Sequence, residues 1–320
     1  MPLHHAPGSG RRALTNQRRG PDPLRLSKAS IAAKFIELYW LQTASYSTGR
    51  STTTPGVLAQ ISGAQAAVIN AIVEFRMQNP TATAQSARSM GGYGQLRQQV
   101  AQTVSAQPIN CLQNLGGRTD RFLFDRIHGG VVLLPGVSYC LRRFQPLVQQ
   151  LARSHWVAHV KRNRLNAPFL VEADDLESFP FETPRHALVI IGSGLQRLTN
   201  SRFYCDSPVH EADVDHFMPF SMYPRDLMHN FVLAYPSCNH SKSDRLAARP
   251  RLENWLQHIA RHDDTLREIG EAAGCISDIS SSRAVARWGY ANALHGGAQA
   301  WLRARTFEPV DMHYLDCLTC

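Results

Sequence analysis

The sequence predicts an α+β chain: a mainly helical, basic N-terminal domain with a β-hairpin, followed by a second domain of short strands and a helix flanked by further helices. Three observations predict it. Apolar residues recur at helical spacing through the first half. The period then switches to two around a glycine turn in FLFDRIHGGVVLL. Between Arg202 and Leu246, strand-like and helix-like runs follow each other at short range.

Taken in order, residues 1–26 carry basic side chains but no apolar stretch, so they read as a flexible basic arm and not as a secretory signal. Ser27 can cap a helix running to about Ala44, with Ile31, Phe35, Leu38 and Tyr39 on one face. A second helix is expected over Gln65–Met77, ended by Asn79-Pro80. The small, polar segment TATAQSARSMGGYG reads as loop, and a third helix follows over Gln95–Ala106. The hairpin comes next, turning at His128-Gly129-Gly130 and closed by Pro135-Gly136. Helix returns from Val137 to Arg162, with Cys140, Leu141, Phe144, Leu147, Val148, Leu151 and Trp156 along one side and Pro146 marking a kink or a fresh start. By analogy, helices followed by a hairpin suggest a winged-helix arrangement for residues 27–170. The acidic stretch 171–184 is a linker. The second domain is assigned to 185–305, with strands at Val214–Phe217 and Asn230–Ala234, a helix from about Ser237, and supporting helices over Pro250–His262 and Ser282–Trp301. Residues 306–320 are left as a tail.

Bulk properties narrow the function. With 320 residues, 43% hydrophobic and 18% charged, the chain can build a real core. No run approaches the roughly 18 apolar residues that a membrane span needs, so a cytoplasmic location is expected. Seven scattered cysteines fit reduced thiols better than a disulfide framework, and the terminal CLTC pair is weak evidence for a metal. The net charge of +9 divides unevenly. Residues 1–171 hold 20 Lys/Arg against five acids, a net of +15, and residues 172–320 hold 14 against 20, a net of −6. Seven basic residues and no acid lie between Arg126 and Val171. That bias points to a polyanion, with nucleic acid the first candidate and Arg142, Arg143, Lys161 and Arg162 as its contacts.

Chemistry is concentrated in RFYCDSPVHEADVDHFMPFSMYPRDLMHNFVLAYPSCNHSKSDRL, residues 202–246. Asp215 and His216 are neighbours in a strand, so their side chains face opposite ways and can do different work. The set Asp215-His216-x-x-Pro219, Asn230-x-Val232-Leu233 and Cys238-Asn239-x-x-Lys242-x-Asp244 resembles the ββα-metal core of HNH endonucleases. The same order and the nine-residue Asn-to-Asn spacing occur in the HNH domains of RNA-guided CRISPR effector nucleases. The LRRF and FYC phrases are similar to bacterial HNH proteins with a helical N-terminal region.

The resemblance implies a metal-dependent endonuclease. His216 would be the general base that activates water, a task suited to imidazole. Asp215 and Asn239 would hold one divalent cation, Mg²⁺ with Mn²⁺ as a substitute, because few oxygen ligands and retained water suit those ions. Asn230 would fix the loop that aims His216, while Lys242 and Arg245 would contact phosphate. Ser243 stands where some relatives have a further histidine, and His240 is expected to face solvent or DNA. Many HNH proteins flank this core with two CxxC pairs that hold zinc. Here only Cys205 and Cys238 remain, with Arg202 and Tyr235 at the partner positions. Two thiolates do not complete a tetrahedral site, even with His210 nearby, so structural zinc is not expected and the cysteines should pack as small apolar groups. The expected partner is double-stranded DNA, with a homodimer as one route to cutting both strands. The alternative is a nucleic-acid-binding protein whose HNH fold is catalytically inactive.

Overall fold

The computed structural model describes residues 23–46, 56–170, 176, 185–199, 201–205 and 212–319. Most of the expected arm and linker, and His210, lie outside these residues. The fold is mixed α+β, mostly helical with small antiparallel sheets.

Strand β1 (Arg25–Ser27) leads into helix α1 (Lys28–Tyr39). Ser27 caps α1 by accepting from the Ser30 N–H at 3.0 Å. Helices α2 (Ala67–Gln78) and α3 (Tyr93–Ala106) follow, and Ile36, Trp40, Ile72, Phe75, Leu96 and Val100 lock the three into one core. A short helix α4 (Pro108–Cys111) and a two-residue-stranded hairpin, β2 (Asn114–Leu115) with β3 (Arg118–Thr119), lead to the expected hairpin of β4 (Phe124–Ile127) and β5 (Gly130–Leu133). Its sheet has a third strand that periodicity did not reveal. β1, assigned to the arm, pairs antiparallel with β5, Leu26 opposite Val131. Gly130 permits this, since a Cβ there would lie 2.1 Å from the Leu26 carbonyl oxygen.

Pro146 begins a new helix instead of kinking a long one. Helix α5 (Val137–Arg143) stops at Phe144 and α6 (Gln145–Arg162) starts with Pro146 in its first turn. The apolar side of these two helices is largely in solvent: Leu141, Phe144, Leu147, Val148 and Leu151 are all exposed. The last turns of α6 are anchored where Val157 and Val160 pack with Tyr46, Leu58 and Leu176.

The second half is built around one larger core. Helix α7 (Arg185–Leu198) buries Ala187, Ile191 and Leu195 and crosses helix α10 (Asp263–Ala273) closely, because Gly194 presents no Cβ to Ile269. Strands β6 (Asp213–His216) and β7 (Phe231–Ala234) form an antiparallel pair, followed by helix α8 (Pro236–Lys242) and helix α9 (Arg249–Arg261). Residues 203–205, the FYC phrase, form a turn. Helix α11 (Ile279–His295) ends at Gly296-Gly297, so Trp301 sits in a strand, β8 (Gln299–Arg303), paired with β9 (Thr306–Pro309). The expected tail is structural: β9 and helix α12 (Met312–Asp316) put Tyr314 and Leu318 into the core.

The two halves touch through polar contacts. Buried Glu37 of α1 receives Arg225 from the loop between β6 and β7, Thr83 donates to Glu271 at 3.0 Å, and the Ser277 N–H donates to Gln85 at 2.6 Å. Burial raises the Glu37 carboxyl, but Arg225 and Lys34 outweigh it and hold the group below the usual carboxylate range.

Candidate active site

The site is assembled on β6, β7 and α8. β7 is a continuous apolar run, Phe231-Val232-Leu233-Ala234, buried at every position, and β6 pairs with it in the register Asp215–Val232 and His216–Phe231. Alternation along β6 turns Asp215 inward, where it is 9% exposed, and leaves His216 at the surface of the sheet.

Asp215 is held by two donors on one oxygen. Tyr204 donates its hydroxyl to Oδ2 at 2.9 Å, and Lys242 Nζ lies 3.0 Å from the same atom. Burial, reinforced by the adjacent Asp215, pushes the Tyr204 phenol well above its ordinary pKa, so the hydroxyl keeps its proton. Lys242 is fully buried and also donates to the His216 backbone carbonyl at 2.7 Å. Burial pulls its pKa down and Asp215 opposes that pull. Sequence reasoning assigned Lys242 to phosphate; the structure instead spends its donors on the two residues it supports. The reason is local: α8 carries it one turn beyond Asn239 onto the face against β6, and Ser243, at φ +52°, turns the chain away.

His216 is fixed from two sides. Its Nε2 lies 2.6 Å from Asp226 Oδ1, and its ring packs against Phe220 and Phe231 with centroids 5.2 and 4.7 Å away. A carboxylate accepting from Nε2–H leaves the lone pair on Nδ1, the nitrogen that can take a proton. The backbone beneath the ring is pinned by Asn230, whose side chain accepts from the Met218 N–H at 2.7 Å and donates to the Met218 carbonyl at 2.9 Å. Phe217, on the opposite face of the strand, stacks on Trp255 at 4.7 Å.

Asn239 sits at the open end of the site, donating from Nδ2 to Asp213 Oδ2 at 3.3 Å. Asp213 shares the Asp215 face of β6, so the DVDH run offers two carboxylates and the Asn239 amide as oxygen donors, a set that fits a hard divalent cation. Among the described residues no three His, Cys, Asp or Glu side chains converge on a metal-sized point. Any cation here would therefore keep much of its water.

Arg245 is exposed, with its guanidinium 5.1 Å from the Phe307 ring centroid, and His240, on α8, is exposed as well. Arg142 and Arg143 on α5, and Lys161 and Arg162 on α6, are all exposed. Of these four, Lys161 lines a cavity shared with the loop that follows His216. At the positions where zinc-binding relatives would carry the partner cysteines, Arg202 stacks on Tyr235 with its guanidinium 4.3 Å from the ring centroid. Cys205 and Cys238 are half-buried neighbours joined by a thiol hydrogen bond, and burial first, then Cys205, raises the Cys238 thiol.

Sequence reasoning missed Asp226, Tyr204, Asp213 and Glu37. For Asp213 the signal was present, since a period of two puts it on the Asp215 face. Tyr204 lies in the FYC phrase, which sequence reasoning reads for its family resemblance and its cysteine, with no role given to the tyrosine. Asp226 and Glu37 act across loops and between halves of the chain, where local spacing carries no information.

No curated protein and no solved structure matches the chain. The sequence model of the HNH endonuclease family does match, over residues 205–248, the segment holding β6, β7 and α8. The chain thus carries an HNH endonuclease domain in its C-terminal half.

Proposed function

We propose that the protein is a metal-dependent endonuclease that hydrolyses phosphodiester bonds in nucleic acid, with double-stranded DNA as its substrate. The observation that carries this reading is the His216–Asp226 pair at 2.6 Å, set beside an all-oxygen donor group on the next strand position and on α8. Asp226 accepts from Nε2–H and sets the tautomer. His216 Nδ1 then takes the proton from the attacking water as its oxygen bonds to phosphorus and the P–O bond to the leaving oxygen breaks. A cation held by Asp215 and Asn239, with Asp213 beside them, would neutralise charge on the phosphate and on the leaving oxygen. Asn230 and Lys242 are positioning residues. One holds Met218, and the other ties the His216 carbonyl to Asp215.

The test is nicking of supercoiled plasmid with Mg²⁺, with Mn²⁺ and with EDTA. Wild-type protein should convert plasmid to open circles only with a divalent cation, and His216→Ala should lower the rate by at least about 10²-fold, the usual contribution of a positioned acid–base group. A folded protein that binds DNA but leaves duplex DNA, single-stranded DNA and RNA intact with either ion would support the alternative, an HNH fold kept for binding alone.

A further inference from the structure

Beside the candidate centre lies a groove with one wall made by α6, outside the HNH domain. Pro146, Gln150, Arg153, Ser154, Val157 and Lys161 recur at spacings of three and four, so they share one helix face, and that face lines an open cavity of about 600 Å³. The opposite wall is Phe220, Ser221 and Pro224, from the loop that leaves His216. Phe220 is itself in ring contact with His216, at 5.2 Å between centroids, so the groove opens beside the proposed base.

We propose that this groove is the track along which α6 guides a nucleic-acid strand to His216, an assignment that rests on the nuclease reading above. Its chemistry suits a phosphodiester backbone. Among the described residues none of the lining side chains is acidic, while Arg153 and Lys161 carry positive charge and Gln149, Gln150 and Ser154 supply neutral donors for phosphate and sugar oxygens. Arg153 and Lys161 are eight residues apart, about 12 Å along a helix at 1.5 Å per residue. That distance is roughly the axial rise of three to four nucleotides of one strand at about 3.4 Å each. Phe220 gives the end of the track an aromatic edge on which a base can stack, which requires no sequence preference.

The experiment uses the full chain with R153E/K161E, and with the neutral R153Q/K161Q in case charge reversal prevents folding. Three readouts are needed: DNA affinity as a function of salt, plasmid nicking, and hydrolysis of bis(4-nitrophenyl) phosphate, a diester too small to need a track. Charge reversal should raise Kd at least tenfold and lower the slope of log K against log salt by about 1.8, from two contacts at about 0.9 each on duplex. Nicking should fall at least tenfold further than hydrolysis of the small diester. Affinity and nicking within twofold of wild type would overturn the track. So would unchanged DNA binding with a changed oligomeric mass by light scattering, which would give the groove to a second copy of the chain. If wild-type protein hydrolyses neither substrate, the nuclease reading fails, and the binding measurements alone decide whether nucleic acid occupies the groove.

Discussion

Replacing Lys242 with Met separates its two roles, phosphate contact and internal strut. The ammonium makes two short contacts, 3.0 Å to Asp215 Oδ2 and 2.7 Å to the His216 carbonyl, and the side chain has no solvent exposure with which to replace them. A hydrogen bond involving a charged group is worth about 1.5–3 kcal/mol, so losing two removes about 3–6 kcal/mol. An independent estimate agrees: breaking a buried ion pair by deleting one partner costs about 3–5 kcal/mol, because a buried charge is left uncompensated. A loss of about 3 kcal/mol lowers Tm by roughly 6–12 °C in a domain of this size. Differential scanning calorimetry of Lys242→Met at neutral pH should show that drop. Adding Asp215→Asn should recover about 2 kcal/mol of it, since the stranded carboxylate is gone while a group able to accept from Tyr204 remains. A phosphate-contacting lysine would behave oppositely, with cleavage lost and Tm unmoved. If Lys242→Met melts within about 1 °C of wild type, the buried pair is wrong and the phosphate assignment returns.

Other perturbations probe separate links. Asp226→Asn keeps the shape of the side chain but withdraws the carboxylate from His216 Nε2, so kcat should fall about 10–100-fold while KM and Tm stay close to wild type; an unchanged kcat would make Asp226 merely structural. Glu37→Gln leaves Arg225 of the β6–β7 loop without its buried carboxylate and should lower both Tm and kcat, although Glu37 belongs to α1; unchanged turnover would show that the loop does not depend on the N-terminal half. His258 is pushed to about 4 by burial, with His262 and Arg261 adding to the shift. Its folded value therefore lies below its unfolded one near 6.5, so full stability holds above about pH 6.5 and is lost as pH falls toward 4. The loss is bounded by roughly 3 kcal/mol. Urea denaturation from pH 7 to 4 should show this decline and His258→Gln should flatten it; parallel curves would exclude His258 as the cause.

How much of this was legible in the sequence depended on the range of the interaction. β6, β7 and α8 could be read because each residue's task is set by neighbours within a few positions: alternation turns Asp215 and His216 apart, a run of four apolar residues marks the buried strand, and Pro236 opens the helix. The same periodic reasoning failed for α5 and α6. A helix's apolar stripe says which face could be buried, not whether another element arrives to bury it, and here Leu147 and Leu151 remain exposed. It failed again at Trp301, where an apolar residue at helical spacing lies beyond Gly296-Gly297 and pairs in a strand.

Lys242 shows the deeper reason. From the sequence, a lysine one turn after Asn239 in a nuclease motif points to phosphate, because lysines are seldom buried without a partner. The exception requires an anion waiting inside, and that anion is Asp215, 27 positions earlier and across a strand. Nothing local reveals the pairing. It exists because β6 and α8 pack together, and they do so on a core completed by Tyr204, Trp255 and Trp301 from three other parts of the chain. The proposed base is held in the same long-range way, from Glu37 through Arg225 to the neighbouring Asp226 and then His216. An HNH motif therefore specifies which atoms are available, while the helices around it decide where those atoms point. If the proposed groove binds DNA, the N-terminal half would act on the active site as well as on the substrate. The Glu37 and Arg153/Lys161 substitutions should then fail differently, the first in turnover and the second in affinity.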